Sequence, residues 1–253
     1  MTGILDEYPG AAAAYSLRLL NTDYTGDAIV VRRASDNTTQ SIGFVDGELD
    51  TDALDTFCTG TDGFVATWFD QSGNGNDATQ STAANQPKIY DSASGIIEID
   101  GKPAIDFEAL PSYFDTSAVN YETAFTVAKI GVLNTLNYIN WSGSVGIGYG
   151  GTRTGADGLF FWYGSDTQSI TGEDLNRHLG YFNDTGTQTQ IAKDGEVETS
   201  FTKINDFAFN SISRDINVVS FRGKMQELIF YSSTQSSNRT GIETNINDFY
   251  NIY

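Results

Sequence analysis

The chain is poor in the residues that form covalent cross-links and soft-metal centres. Among its 253 residues there is one cysteine, Cys58, and one histidine, His178. A single cysteine excludes an intrachain disulfide and a thiolate metal cluster, and a single histidine excludes a zinc site built from several histidines. Function classes that depend on such centres are therefore excluded.

Long apolar runs and basic clusters are also missing. No stretch approaches the ~18 apolar residues that a membrane-spanning helix requires, and the N-terminus carries acids where an export signal needs bases. Acidic residues outnumber basic ones by 33 to 14, for a net charge of −19. A surface this negative repels phosphate backbones and anionic lipids. The sequence therefore predicts no nucleic-acid partner, no membrane partner and no export signal.

Short strands separated by turn residues make up most of the pattern. The chain has 26 glycines, and turn signals follow each other about every ten residues between apolar or alternating runs. Asp36-Asn37 and Asp194-Gly195 each lie between two such runs and predict hairpins. About ten to fourteen strands without a linker or repeat predict one domain over residues 1–253, of the sandwich or jelly-roll type.

Three segments have helical patterns instead. Residues 10–21 are rich in alanine and leucine, which are good helix formers, and this composition predicts a short helix. Asp50 or Thr51 is placed to cap a second helix that buries Cys58 as a small hydrophobe. Residues 237–253 have apolar side chains at helical spacing and predict a closing helix.

The motif DQSGNGNDATQ, residues 70–80, resembles the Asp-x-Ser-Gly-x-Gly-Asn turn of concanavalin A-like, or laminin-G-like, jelly rolls. Four later segments resemble other parts of that family in the usual order. They are GKPAIDFEALPSYFDTS, ETAFTVAKI, KDGEVETS and GKMQELIFYSSTQSSNRTGIETNINDFY. The resemblance spans nearly all of the chain. It implies an all-β, concanavalin A-like jelly-roll β-sandwich with one or two short helices.

The first eighty residues are also similar to a narrower family. The run from AYSLR through FCTG to WFDQSGNGNDATQ resembles the jelly-roll catalytic domain of α-L-arabinofuranosidase B-type enzymes. Retaining glycosidases need a carboxylate nucleophile and a carboxylic acid/base about 5 Å apart. The resemblance puts Leu159 at the nucleophile position and Asp215 at the acid/base position, and the adjacent cysteine pair of that family has no counterpart. A missing nucleophile favours a protein that is not an enzyme.

The stretch YPGAAAAYSLR resembles lectin-like domains of tailed-phage virion proteins. That resemblance implies a non-enzymatic capsid decoration protein or a head- or tail-fibre module, made in the host cytoplasm and carried in the virion. It implies residues 1–20 as a docking segment, capsid or tail proteins and further copies of the chain as partners, and weak glycan binding. The alternatives are an arabinofuranosidase-like glycoside hydrolase and a stand-alone carbohydrate-binding module.

The opening motif is a candidate calcium loop. Asp70, Ser72, Asn74 and Asn76 fall at positions 1, 3, 5 and 7 of an EF-hand-like spacing and offer hard oxygen ligands. Position 12 is Ser81 instead of the bidentate glutamate. The alternative is a tight corner closed by positive φ angles and side-chain hydrogen bonds. Structural calcium is the only cofactor that the sequence predicts.

Aromatic side chains form a second candidate site. Trp141, Tyr149, Trp162 and Tyr163 offer flat faces on which sugars stack. Because side chains alternate along a strand, consecutive aromatic residues cannot all face one way. Packing in the core or an oligomer contact is the alternative for each of them.

Two single polar residues are predicted to have structural roles. His178 lies where a loop passes into a strand, and we expect a surface or capping residue rather than a general base. Glu227 lies within the strand MQELIFY, and no catalytic role is predicted for it.

Overall fold

A computed structural model of the chain describes residues 2–109, 111–132, 137–142, 145–149, 158–163, 166–171, 174–203, 206–214 and 221–253. The strands in these ranges are β1 (Ala11–Ser16), β2 (Ile29–Arg33), β3 (Thr39–Ile42), β4 (Phe44–Val45), β5 (Glu48–Leu49), β6 (Gly63–Trp68), β7 (Ala78–Thr79), β8 (Lys88–Asp91), β9 (Gly95–Ile96), β10 (Glu98–Ile99), β11 (Lys102–Pro103), β12 (Ile105–Asp106), β13 (Phe114–Tyr121), β14 (Thr123–Ile130), β15 (Asn137–Trp141), β16 (Val145–Tyr149), β17 (Gly158–Tyr163), β18 (Asp166–Thr171), β19 (Arg177–Asp184), β20 (Gln188–Lys193), β21 (Thr199–Thr202), β22 (Phe207–Ile212) and β23 (Gly223–Tyr231). The helices are α1 (Ile4–Glu7), α2 (Thr51–Cys58) and α3 (Arg239–Tyr250), with a 3₁₀ turn at Ala83–Asn85.

Antiparallel pairing joins nineteen of these strands into one curled sheet. β14 pairs with β19 on one side and with β23 on the other, and β23 also pairs with β1 and β12. β13, β22 and β15 to β18 continue the sheet in the same antiparallel sense. The all-β jelly-roll β-sandwich that the sequence predicts is confirmed, with three short α-helices in the described ranges where one or two were predicted.

Both faces of β14 are covered, which explains its nearly continuous apolar sequence. Ala124 and Ala128 lie in the main core between the layers of the sandwich. Phe125 and Val127 lie in a second core beneath α3. Lys129 is the one residue of β14 that is only half-buried, and it lines a small pocket together with Asn251 and Ile252. The outer face of the sheet is therefore open beside Lys129.

The helix predicted over residues 10–21 is wrong, because Ala11–Ser16 forms strand β1. This strand pairs antiparallel with β23 from Tyr231 to Glu227. Its alanines are almost all buried, and their small side chains let the sheet pack closely on both sides. Packing thus overrides the helical preference of alanine, which is worth less than 1 kcal/mol per residue. The docking segment predicted over residues 1–20 includes this strand.

Most local predictions are confirmed. Asn37 has φ 61°, and Asp194 and Gly195 have φ 52° and 73°, as their tight turns require. The Asp50 carboxylate caps α2 by accepting a hydrogen bond of 2.9 Å from a first-turn N–H. Cys58 is buried, and the closing helix is α3. Within the described ranges, no helix has the length and apolar character that crossing a membrane requires.

Candidate functional site

The four predicted calcium ligands lie in one loop that is bonded to strand β1. The Asp70 carboxylate is buried and accepts N–H donors from Ala14, Ser72 and Asn76 at 2.8–3.0 Å. The side-chain amides of Asn74 and Asn76 each donate to a carbonyl of β1 at 2.9 Å. These bonds hold the corner closed. Calcium at this loop stays a prediction, and both oxygens of Asp70 already have donors within the chain.

A second polar cluster joins β1, β23 and α3 inside the protein. The guanidinium of Arg18 donates to both carboxylate oxygens of Glu227, at 2.7 and 2.9 Å. Ser16 and Tyr250 add hydroxyl donors to the same carboxylate. The side chains of Arg18 and Glu227 are only 9% and 1% exposed. This closed network gives Glu227 the structural role predicted for it.

His178 is buried, so the predicted surface or capping position is wrong. Its Nδ1 lies 2.6 Å from a carboxylate oxygen of Asp194, and its Nε2 lies 2.9 Å from one of Asp174. The histidine is enclosed because every residue of β19 is buried between the neighbouring strands β14 and β20.

An open pocket of about 420 Å³ lies on the outer face of β8, β12 and β23. Its lining is polar and carries charges of both signs: Lys88, Asp91, Ser94, Ile96, Ile97, Glu98, Asp106, Glu108, Ala109 and Lys224. Strand alternation puts Asp106 here, because its neighbours Ile105 and Phe107 are fully buried in the core. Asp106 lies opposite Lys224 on β23 and opposite Lys88 on β8.

Asp106 and Glu108 form an acidic pair in this pocket. Burial raises the pKa of Asp106, and the negative charge of Glu108 raises it further, while Lys224 and Lys88 act in the opposite direction. The Asp106 carboxylate also accepts the Glu108 N–H at 2.8 Å. Glu108 is exposed to solvent, and its side chain lies against Gly131. A carboxyl group with a raised pKa beside a second carboxylate is the combination that acid–base hydrolysis of sugars uses.

The sequence-based site predictions missed this pair. The available signal was an acid between two buried apolar residues in the run Ile105–Phe107, which marks an outward-facing strand position. Nothing in the sequence shows that Lys224, more than a hundred residues later, lies opposite Asp106.

The side chains of the four predicted sugar-stacking residues fall outside the described part of the chain. They are Trp141 in β15, Tyr149 in β16, and Trp162 and Tyr163 in β17. Backbone pairing places Tyr149 opposite Leu159. The side chain of Leu159, and all of Asp215, also lie outside the described residues.

Solved structures with a similar fold include arabinofuranosidases. A solved GH54 α-L-arabinofuranosidase, soaked with a cyclic sulfate inhibitor, superposes with a TM-score of 0.73 at 16% identity, over 93% of this chain and 62% of that one. A solved arabinofuranosidase complexed with arabinofuranosyl-α-1,2-xylobiose gives 0.67 at 17% identity over the same shares. At these identities the likeness establishes the fold.

Sequence similarity is to the same group of enzymes. Residues 6–123 match the family model of the α-L-arabinofuranosidase B catalytic domain. α-L-Arabinofuranosidase B of Emericella nidulans is 40% identical over 95 residues, which are 35% of this chain and 19% of that protein. An α-L-arabinofuranosidase of Hypocrea jecorina is 30% identical over 155 residues, which are 58% of this chain and 31% of that protein. The chain thus matches less than a third of the length of either relative.

These matches overturn the prediction of a phage virion protein. The family model, the relatives and the solved structures are arabinofuranosidases, and none of them is a capsid decoration protein or a head or tail fibre. The prediction that the chain is not an enzyme is wrong for the same reason. It depended on Leu159 at the nucleophile position and on the missing cysteine pair, and a match to a catalytic domain stands against these two departures.

Proposed function

We propose that the protein is a glycoside hydrolase that releases α-L-arabinofuranosyl groups from a glycan. The observation that carries the proposal is the match of residues 6–123 to the α-L-arabinofuranosidase B catalytic model. Apart from Lys224, the residues that line the pocket of Asp106 and Glu108 lie within the matched segment. Its open form allows a sugar at the end of a branch to enter from solvent.

Asp106 and Glu108 have the properties that the reaction requires. Asp106, with its raised pKa, donates a proton to the glycosidic oxygen as the bond from that oxygen to the anomeric carbon breaks. Glu108 bonds to the anomeric carbon as the glycosidic oxygen leaves with the proton of Asp106, which gives a glycosyl ester. Water then attacks the anomeric carbon and displaces Glu108, and the Asp106 carboxylate takes the proton of that water. Since the family resemblance places Leu159 where the nucleophilic glutamate is expected, the nucleophile has to come from another part of the chain. Glu108, which lines an open pocket together with Asp106, is our candidate.

The aromatic residues and the calcium loop are further parts of the proposal. Trp141, Tyr149, Trp162 and Tyr163 would stack on neighbouring sugars, and calcium at Asp70 would be structural. Self-association is also proposed, since β-sandwich surfaces of this kind serve as oligomer contacts.

If stacking contributes to binding, Trp162→Ala raises KM for an arabino-oligosaccharide and leaves kcat nearly unchanged.

The decisive experiment is hydrolysis of a chromogenic α-L-arabinofuranoside. We expect turnover by the unaltered protein and a loss of about 10²-fold or more in kcat for Asp106→Asn and for Glu108→Gln. Asp91→Asn is the matched control, because Asp91 lines the same pocket but is held in an ion pair with Lys88 at 3.1 Å. It should keep kcat within about twofold.

Three outcomes would count against parts of the proposal. No turnover by the unaltered protein contradicts the hydrolase activity. Turnover that survives both Asp106→Asn and Glu108→Gln contradicts the acid pair and leaves the activity standing. Turnover that is lost only in Asp215→Asn moves the general acid to the position that the family resemblance indicates.

A further inference from the structure

Three basic residues lie side by side on the outer face of the sheet. Lys129 on β14 pairs with Lys224 on β23 in one direction and with Arg177 on β19 in the other. Residues directly opposite each other on antiparallel strands have their side chains on the same face, about 5 Å apart. We call Lys224, Lys129 and Arg177 the cationic row.

The cationic row is neutralised at its two ends and not in its middle. Like charges directly opposite each other on neighbouring strands destabilise a sheet. Arg177 lies 3.6 Å from the carboxylate of Asp100, and Lys224 lies opposite Asp106. Lys129, in the middle, has no ion-pair partner among the described residues. With 33 acids and 14 bases in the chain, a lysine without an ion-pair partner is a local feature.

A small pocket adjoins the row. It measures about 180 Å³ and is lined by Asp100, Lys129, Asn176, Arg177, Asn251 and Ile252. The guanidinium of Arg177 is buried and already donates to the carbonyls of Ile99 and Tyr250. The half-buried Lys129 is therefore the member of the row whose charge is available to a ligand in this pocket. A carboxylate at this position would gain a charged hydrogen bond.

We propose that the cationic row binds a carboxylate of an acidic glycan, namely a uronate in the polysaccharide from which arabinofuranosyl groups are removed. This inference rests on the proposed function. Because Asp106 lies opposite Lys224 at one end of the row, a branch held at Asp106 places its backbone sugars near Lys129 and Arg177. The site would select substrates that carry a uronate close to the branch.

The surroundings of the row favour a glycan over a nucleic acid. Duplex DNA carries one charge per ≈1.7 Å of its axis, whereas an acidic glycan carries at most one carboxylate per sugar. A densely charged strand would meet the acids that border the row on both sides. These acids are Asp91, Glu98, Asp100 and Glu108. A single carboxylate fits between them.

Affinity electrophoresis with polygalacturonate tests the proposal. We expect the unaltered protein to be retarded by polygalacturonate but not by the same polymer after reduction of its carboxyl groups. Lys129→Gln should weaken the binding about tenfold, since a charged hydrogen bond is worth about 1.5 kcal/mol or more, and Lys129→Arg should largely retain it. Added salt should weaken the binding of the unaltered protein.

The matched control is Lys203→Gln, which removes the same charge from an ion pair with Asp184 and Asp206 elsewhere on the surface. It should bind polygalacturonate like the unaltered protein. Equal retardation by the reduced polymer, equal weakening in both glutamine variants, or equally tight binding of duplex DNA would overturn the proposal. Binding is read without turnover, so a protein that binds the acidic polymer through Lys129 but hydrolyses no arabinofuranoside refutes the proposed function and leaves the carboxylate site standing.

Discussion

Two charged regions of this protein differ in how completely their charges are paired. Beneath α3, Arg18 and Glu227 form two hydrogen bonds with each other, and the hydroxyl groups of Ser16 and Tyr250 donate to the same carboxylate. On the outer face, Asp106 has a raised pKa, and Lys129 has no ion-pair partner in the described part of the chain. The first region has nothing left to offer a ligand, whereas the second has a carboxyl group with a raised pKa and a lysine without an ion-pair partner.

The difference shows how a structural acid and a candidate catalytic acid are told apart in one sheet. Both Glu227 and Asp106 lie on or beside β23. A carboxylate that is fully paired with buried donors holds elements together. A carboxyl group that is half-buried next to another acid costs stability, and such costs concentrate at functional sites. The following predictions test this contrast.

The largest effect is expected from breaking the inner pair. Glu227→Gln leaves Arg18 as a buried charge without its counter-ion, and we expect a loss of about 3–5 kcal/mol in the free energy of unfolding. Urea denaturation measures it. The control is Glu48→Gln, because the pair of Glu48 with Lys102 is exposed and should contribute about 1 kcal/mol or less. A loss below 1 kcal/mol in Glu227→Gln would contradict the structural role.

The next effect concerns the corner loop. Asp70→Ala leaves three backbone N–H groups without their acceptor, and we expect a loss of about 3 kcal/mol. Thermal unfolding measures it, and Ser81→Ala, outside the bonded loop, is the control. Thermal unfolding also tests the calcium prediction. If the loop binds calcium, added calcium raises Tm and a chelator lowers it. An unchanged Tm under both conditions removes the calcium prediction.

A smaller effect, of opposite sign, is expected at the outer acid. The pKa of Asp106 is raised mainly by burial, so the folded protein binds this proton more tightly than the unfolded chain does. Its contribution to stability is complete below the unfolded pKa of about 3.9 and is lost as the pH rises through the folded value. Asp106→Asn should therefore be more stable than the unaltered protein at pH 7, and this advantage should shrink toward pH 3. Urea denaturation at pH 7 and pH 3 measures both free energies of unfolding. A lower stability of Asp106→Asn than of the unaltered protein at pH 7 would show a structural role for Asp106 instead.

The smallest effect is expected from the cationic row. Lys129→Gln relieves repulsion from Lys224 and Arg177, and we expect a gain of a few tenths of a kcal/mol at low ionic strength. Salt screens this repulsion, so the gain should fall away near 1 M salt. Lys203→Gln breaks an ion pair and should show no gain. A loss of stability in Lys129→Gln at low salt would mean that the row is neutralised in the folded protein.

Local sequence signals predicted the strands and turns well and failed where packing decided the outcome. Asn37 and Gly195 lie in the turns that their residue types favour. The alanines of β1 have a helical preference, but they form a strand because β23 lies beside them. His178 looks like a surface residue in its local context and is buried because β19 is covered on both faces.

The sequence by itself determined the architecture: apolar residues alternate or run continuously over strand lengths, and Gly, Asn and Asp mark the turns between them. Both are local properties, since backbone sterics and side-chain periodicity act within a few residues. Only the tertiary structure decided which charges meet. Asp106, Lys224, Lys129 and Arg177 come from four strands that are far apart in the chain and adjacent in the sheet. Electrostatic interactions depend on distance in space, so the acidic pair and the cationic row exist only once the sheet has formed.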